Sequence, residues 1–206
     1  KASLGAIDQW RKTLGKLGGD SVLEENRTLK RELPALEETL EMAEMRLNEI
    51  WPLCEQVLAD AVPDRQGDNA PQHAFELGLV PDHLRELAET LNTQYTRLAS
   101  LFQELGNELK TNLEQGQSLE SRQRAEYWFP LIGSMTARAA ASQKLWQQFS
   151  RVDTPGQAPW ARWLGLNDQG GNIDISISCS PVLAATTLQE NLWRLCAGAV
   201  LTSATL

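Results

Sequence analysis

Apolar side chains recur at Leu36, Leu40, Ala43, Leu47, Ile50, Cys54 and Leu58, always three or four residues apart. That period, close to 3.5 residues, predicts a helix with one apolar seam. Trp51 stands beside the seam, acidic residues fill the other faces, and Pro34 is expected to start or kink the helix. A second seam comes after Pro81-Asp82, through Leu84, Leu87, Leu91, Tyr95, Leu98, Phe102, Leu105 and Leu109. Residues 2–17 carry a shorter amphipathic pattern of Leu4, Ile7, Trp10, Leu14 and Leu17. Gly18-Gly19 should stop that helix, and Asp20 or Ser21 should cap the next one. Residues 62–74, VPDRQGDNAPQHA, read as a loop. Two seamed helices joined by one loop should pair antiparallel. At 1.5 Å per residue, 36–60 and 82–114 would extend about 38 and 50 Å, a projecting helical hairpin.

Residues 118–150 form a third helical region, which Pro130 and Gly133 should kink or split. Trp128 and Trp146 are expected in its core; stacking on nucleic-acid bases is the other reading. The pattern changes after Arg151. Residues 152–160 read as a loop, and WARWLGL then alternates. NDQGG supplies a long turn, and NIDISISCS alternates again, with Ile173, Ile175, Ile177 and Cys179 on one side. Asp174, Ser176, Ser178 and Ser180 fall on the other, so a β-hairpin is predicted. Pro181 should open a helix to about Leu195 with Leu183, Leu188, Leu192 and Leu195 inward. The closing AVLTSATL reads as a buried strand of a parallel sheet whose neighbours are mostly missing. The fold class is therefore mainly α: a long antiparallel helical hairpin or bundle with a small α/β segment of hairpin, helix and terminal strand. The division expected is 1–150 and 151–206.

Composition narrows the functional classes. The 206 residues are 42% hydrophobic and 22% charged, enough for a sizeable core. No apolar run approaches the roughly 20 residues that span a bilayer, and no secretory signal opens the chain. The expected setting is cytoplasmic, without membrane partners. The start on Lys1 and the apolar end suggest a piece of something larger. Net charge is −8, and its distribution is uneven. Residues 32–90 hold fourteen acidic and three basic side chains, whereas residues 1–31 hold seven basic and four acidic. Such an acidic block is a solvated helix face that also repels phosphate.

Catalytic motifs are missing. Cys54, Cys179 and Cys196 are too far apart in sequence for a disulfide framework or a metal-ligand set. His73 and His83 stand alone, in an expected loop and a first helical turn. The nearest approach to a phosphate loop is Gly15-Lys16, with Trp10 at the first glycine position and Leu17 at the hydroxyl position. No Asp-Glu dipeptide occurs, so a DE-x-H metal box is absent. The carboxylates sit at helix-face spacings rather than as an acid/base pair. No catalytic residue, metal ligand or cofactor site is assigned. The one compact polar motif is Leu201-Thr202-Ser203-Ala204-Thr205-Leu206, hydroxyls ending a predicted buried strand. Open α/β sheets bind ligands at that end of a strand.

Residues 144–206 resemble the DinG family of superfamily 2 DNA helicases, relatives of XPD. The resemblance is carried by KLW at 144–146, a Pro-containing loop, a hydrophobic strand, LQENLWR at 188–194 and GAVLTSATL at 198–206. FELGLVPDHLRELAETL at 75–91 and the helix after it are similar to the arch insertion of bacterial members. Residues 1–70 match only in architecture. The resemblance implies that Thr202, Ser203, Ala204 and Thr205 are helicase motif III, which couples the nucleotide site to DNA. It implies ATP, Mg and a 4Fe-4S cluster for the parent protein, held by segments lying before the arch. It implies single-stranded DNA as partner of the full-length protein, but assigns no DNA-contacting arch residue. The alternative is a stand-alone helical scaffold that uses its seams to hold a partner protein.

Overall fold

A computed structural model of the chain describes residues 4–20, 27–61, 72–116, 118–153, 159–169, 172–183, 185 and 188–198. The described residues are mainly helical, with one small sheet. Helix α1 spans Leu4–Gly18, α2 Arg27–Ala61, α3 Asp82–Gln115 and α4 Leu119–Ser150. Strand β1 spans Gln72–Ala74, β2 Trp160–Gln169 and β3 Asn172–Pro181.

The seams become the core. All seven seam positions of α2, from Leu36 to Leu58, are buried. On α3 the seam is buried from Leu84 to Leu109 except at Leu87, which is half-buried beside a fully buried Ala88. Helix α1 packs Ile7, Trp10, Leu14 and Leu17 inward. Trp10 meets the α3 rings of Tyr95 and Phe102 edge-on, at centroid distances of 6.4 and 5.4 Å.

Several expectations change. Helix α2 begins at Arg27, so Pro34 lies inside it rather than at its start, and Pro52 lies inside as well. Each proline removes one backbone donor from the helical ladder. The buried seam that follows Pro34 and flanks Pro52 outweighs that loss, because tertiary packing supplies most helical stability. Ser21 and the residues after it up to 26 lie outside the described residues, and the cap expected there with them. The Asp20 carboxylate accepts hydrogen bonds from Trp128 Nε1 at 3.1 Å and Arg124 Nη1 at 3.2 Å on α4. Helix α4 likewise runs without interruption through Pro130 and Gly133. The α2–α3 pair does form, but α3 packs most extensively against α4. The connection at 116–118 explains this, since a short link forces its two helices to lie side by side. Ser118 caps α4, its Oγ accepting from the Ser121 amide at 3.0 Å.

Residues 72–74, expected in a loop, are an edge strand. The sheet order is β1-β2-β3, antiparallel throughout. The hairpin register runs from Trp160 opposite Pro181 to Gln169 opposite Asn172, so its turn is shorter than expected. Arg162 pairs with Cys179, Leu164 with Ile177 and Leu166 with Ile175. These six share the face turned to the helices, where Leu164 is fully buried and Leu166, Ile175, Ile177 and Cys179 pack against the core. The hairpin and the helices thus share one core.

A pair of substitutions checks the α3 seam. Leu98→Ala should cost about 2–5 kcal/mol by denaturant unfolding, because it leaves a cavity at a fully buried site. Leu87→Ala should cost clearly less. Equal losses would contradict the described rotation of α3.

Candidate functional site

Three features gather where the hairpin meets the helices: a buried arginine, a cavity and an uncovered apolar segment. The arginine is Arg162, whose side chain is 1% exposed. Alternation along β2 places it inward, between Trp160 and Leu164. Burying a guanidinium is costly unless each donor is met. Here Nη2 and Nη1 donate to Asp153 Oδ1 and Oδ2 at 2.8 and 3.0 Å. Nη1 also donates to the Gly78 carbonyl at 2.8 Å, and Nε to the Gln148 carbonyl at 2.6 Å. The arrangement is the bidentate carboxylate fork that arginine favours. Gly78 lies at φ +69°, and a Cβ there would stand 2.5 Å from the Trp160 carbonyl oxygen and 2.8 Å from Arg162 Nη1. Glycine is required at that position on both counts. The Arg162 hydrogen bonds hold the Asp153 carboxyl below the usual carboxylate range.

The cavity measures about 380 Å³. Leu4 and Gly5 of α1, Leu47, Ile50, Trp51 and Cys54 of α2, Trp146 of α4, and Asp174, Ile175 and Ile177 of β3 line it. Burial pushes the Cys54 thiol up to about 12, so it stays protonated at neutral pH. Trp51 Nε1 donates to Glu55 Oε1 at 2.9 Å, whereas the buried Trp146 Nε1 finds no acceptor among the described residues.

The third feature is the segment after β3. Among the described residues there, 185 and 188 are helical and Gln189–Trp193 is a short π-helical stretch, inside the range expected for the helix. The leucines of this segment were expected inward, yet Leu183, Leu188, Leu192 and Leu195 are 57, 41, 41 and 80% exposed, with Val182 at 56%. The helical bundle's own seams already cover one another, so nothing among the described residues packs over this segment.

The sequence-derived candidates divide accordingly. Thr202, Ser203, Ala204 and Thr205, and the strand expected around them, lie outside the described residues. Trp128 and Trp146 are buried, 4 and 1% exposed, so neither ring is open to stack on a base. His73 sits on β1, edge-on to Phe75 at 5.0 Å, rather than in a loop. His83 lies in the first turn of α3. Among the described residues no three His, Cys, Asp or Glu side chains gather as metal ligands. Cys54 is buried on α2, Cys179 half-buried on β3 and Cys196 exposed beyond it, which does not fit an iron–sulfur cluster. Among the described residues no helix is long and apolar enough to cross a membrane. Sequence patterning missed Arg162 and Gly78. The one available signal was an arginine on the apolar side of an alternating strand. Comparison of the chain with protein-family models and with curated proteins finds no match.

The fork sets a pH dependence. Asp153 is depressed when folded, so its contribution is complete above the ordinary carboxylate value of about 3.9 and is lost as pH falls through its lower folded value. Asp153→Asn should destabilise the chain by about 3 kcal/mol near pH 7, because it leaves a buried guanidinium without its counter-charge. The penalty should shrink in acid. Thermal unfolding from pH 7 to 2 on both proteins checks this, and a penalty independent of pH would count against it.

Proposed function

We propose that this chain is the arch-like helical part of an ATP-dependent 5′-to-3′ DNA helicase resembling DinG, joined to a piece of its first motor domain. The observation that carries the reading is the exposed row of Leu183, Leu188, Leu192 and Leu195 directly before GAVLTSATL. An exposed row this apolar is an interaction surface, and in the proposed parent the remainder of the motor domain covers it. The sequence resemblance at 188–206 and at 75–91 supports the same reading. In it the helices frame the passage of one DNA strand, and Thr202, Ser203, Ala204 and Thr205 transmit the state of the nucleotide. ATP, Mg and an iron–sulfur cluster belong to the rest of the parent. The stand-alone scaffold reading differs in one consequence: its partner would bind this chain without any flanking sequence.

Two measurements test the proposal. The parent gene product, expressed with the sequence that flanks this chain, should hydrolyse ATP when single-stranded DNA is added and should unwind duplexes from the 5′ side. In that protein Thr202→Ala with Ser203→Ala should leave nucleotide binding intact and lower the unwinding obtained per ATP. Each lost hydrogen bond is worth about 0.5–1.5 kcal/mol, comparable with a coupling energy of roughly 1–3 kcal/mol. An unchanged ratio of unwinding to hydrolysis would remove the functional content from these hydroxyls.

The leucine row gives a second check. Leu188→Glu with Leu192→Glu should leave the melting temperature of this chain within about 2 °C, since surface changes usually stay within about ±0.5 kcal/mol. The same pair should destabilise the parent protein. A parent as stable as wild type would show that its motor domain does not cover this face.

A further inference from the structure

The two edges of the sheet are unlike. β1, at one edge, is three residues long, and a strand that short is a poor template for another chain. β3, at the other edge, is ten residues long and pairs with β2 in an unbroken register, without a bulge. Among the described residues no strand pairs with its far side. An edge strand turns alternate N–H and C=O groups away from its neighbour, and natural sheets protect such groups with lysine, proline or bulges. β3 has no lysine, its one proline is its last residue, Pro181, and its one charge is Asp174.

Burial along β3 follows from its open edge. Ile175, Ile177 and Cys179 face the helices yet are only half-buried, whereas Arg162 and Leu164 beside them on β2 are buried. The cavity begins here, since it borders Asp174 as well as Ile175 and Ile177. Neighbouring residues of a strand point to opposite faces. A space that borders both kinds therefore reaches β3 along its backbone edge rather than from beneath one face. On the helical side it is walled by Leu47, Ile50 and Trp51 of α2, and its volume of about 380 Å³ admits an apolar side chain. An open ladder beside an apolar hollow is the arrangement of β-strand addition, in which backbone bonds give affinity and a side-chain pocket gives specificity. Charge selects the occupant. The chain carries −8, and α2 holds eight acidic side chains against one basic between Glu32 and Asp60. A second copy would bring −8 against −8, whereas a cationic segment is attracted.

We propose that the far edge of β3 takes an extended segment of a partner protein as a fourth strand, with one apolar side chain of that segment seated in the cavity and lysine or arginine flanking it. The proposal is independent of any role in DNA unwinding.

The test uses the 206-residue chain and a capped heptapeptide, Lys-Lys-Val-Leu-Val-Lys-Lys. Three relatives of the probe are compared with it: glutamate for every lysine, alanine for the central leucine, and N-methylation of the three central amides. Binding is followed by proton–nitrogen NMR and by hydrogen exchange. The lysine peptide should bind saturably and protect alternate amides between Asp174 and Ser180. The alanine peptide should bind about tenfold or more weakly, having lost the buried side chain. The N-methylated peptide should bind about tenfold or more weakly, having lost several hydrogen bonds. The glutamate peptide should bind more weakly at low salt, by a margin that shrinks as salt rises. Ile177→Lys, which sets a charge on the inward side of the edge, should abolish binding while circular dichroism remains unchanged. No saturable binding up to about 1 mM peptide would overturn the proposal. So would protection confined to amides outside β3, equal affinity for the N-methylated or alanine peptide, or tighter binding of the glutamate peptide. A dimer of the chain alone, seen by sedimentation and lost in Ile177→Lys, would give the edge to a second copy and overturn it as well. The peptide series on the wild-type chain decides the matter even where the variant fails to fold.

Discussion

A guanidinium taken out of water must be met on every side, and Arg162 imposes that requirement on four separate stretches of chain. Asp153 neutralises it, the Gly78 and Gln148 carbonyls accept its remaining donors, and β2 carries it. Gly78 belongs to the short 3-10 turn before α3, Gln148 to the last turn of α4 and Asp153 to the link between α4 and the sheet. Shifting any one of them would leave a buried donor or the charge itself unmet. The cost of the charge thus becomes positional precision: the hairpin can sit on the helices in one place only. The same contact explains why β1 exists. The Phe75 amide donates to the Arg162 carbonyl at 3.0 Å, continuing the ladder between β1 and β2 beside the buried side chain.

The helices are held differently, by apolar interdigitation around Trp10 rather than by polar bonds. Trp10 of α1 touches Tyr95 and Phe102 of α3, and the Arg138 guanidinium of α4 lies 5.9 Å from its ring centre. Ion pairs between helices are few and exposed: Arg11 with Glu44 at 2.6 Å, Arg97 with Glu38 at 3.7 Å. Exposed pairs contribute little. The bundle therefore rests on burial. It tolerates Pro34, Pro52 and Pro130 inside helices because its stability does not depend on an unbroken backbone ladder. Tyr95 Oη and Trp10 Nε1 are likewise buried without partners among the described residues. These rings are placed for their shape.

Where hydrophobic periodicity was long, the sequence was legible. The seams of α2 and α3 and the inward face of the hairpin follow from spacing alone, since a period near 3.5 or of 2 fixes which side chains share a face. Helix starts were less legible. Pro34 looks like a boundary until Leu33 and Ala35 beside it are known to pack against the core. β1 was illegible for a related reason. Three residues carry no period, and QHA becomes a strand only because β2 offers it an edge. Arg162 was invisible because its partners lie up to 84 positions away in sequence. The leucines of 183–195 were expected to be one inward side of a helix, but periodicity reports that a face wants covering, not that its cover is present. The cavity was unreadable in principle, since its walls come from four elements whose approach is set by tertiary packing.

Charge then decides which surfaces of this fold can associate with what. Helix α2 turns Glu37, Glu38, Glu41, Glu49 and Glu55 outward. Phosphate is repelled along that whole side, and a second acidic surface would be as well. Helix α4 exposes Arg122, Arg138 and Lys144, but two of these already serve the protein. Arg122 Nε donates to the Gly116 carbonyl at 2.8 Å, and Arg138 Nη1 to Gln9 Oε1 at 3.3 Å. Neutralising several phosphates at once is what makes nucleic-acid binding strong, and this face has little free cation to offer. The segment from Val182 to Cys196 is different in kind. It carries only Glu190 and Arg194 among its leucines, so it lacks the charge that keeps the helices apart from other surfaces. The two surfaces are therefore opposite in character: apolar at the segment beyond the hairpin, acidic along α2.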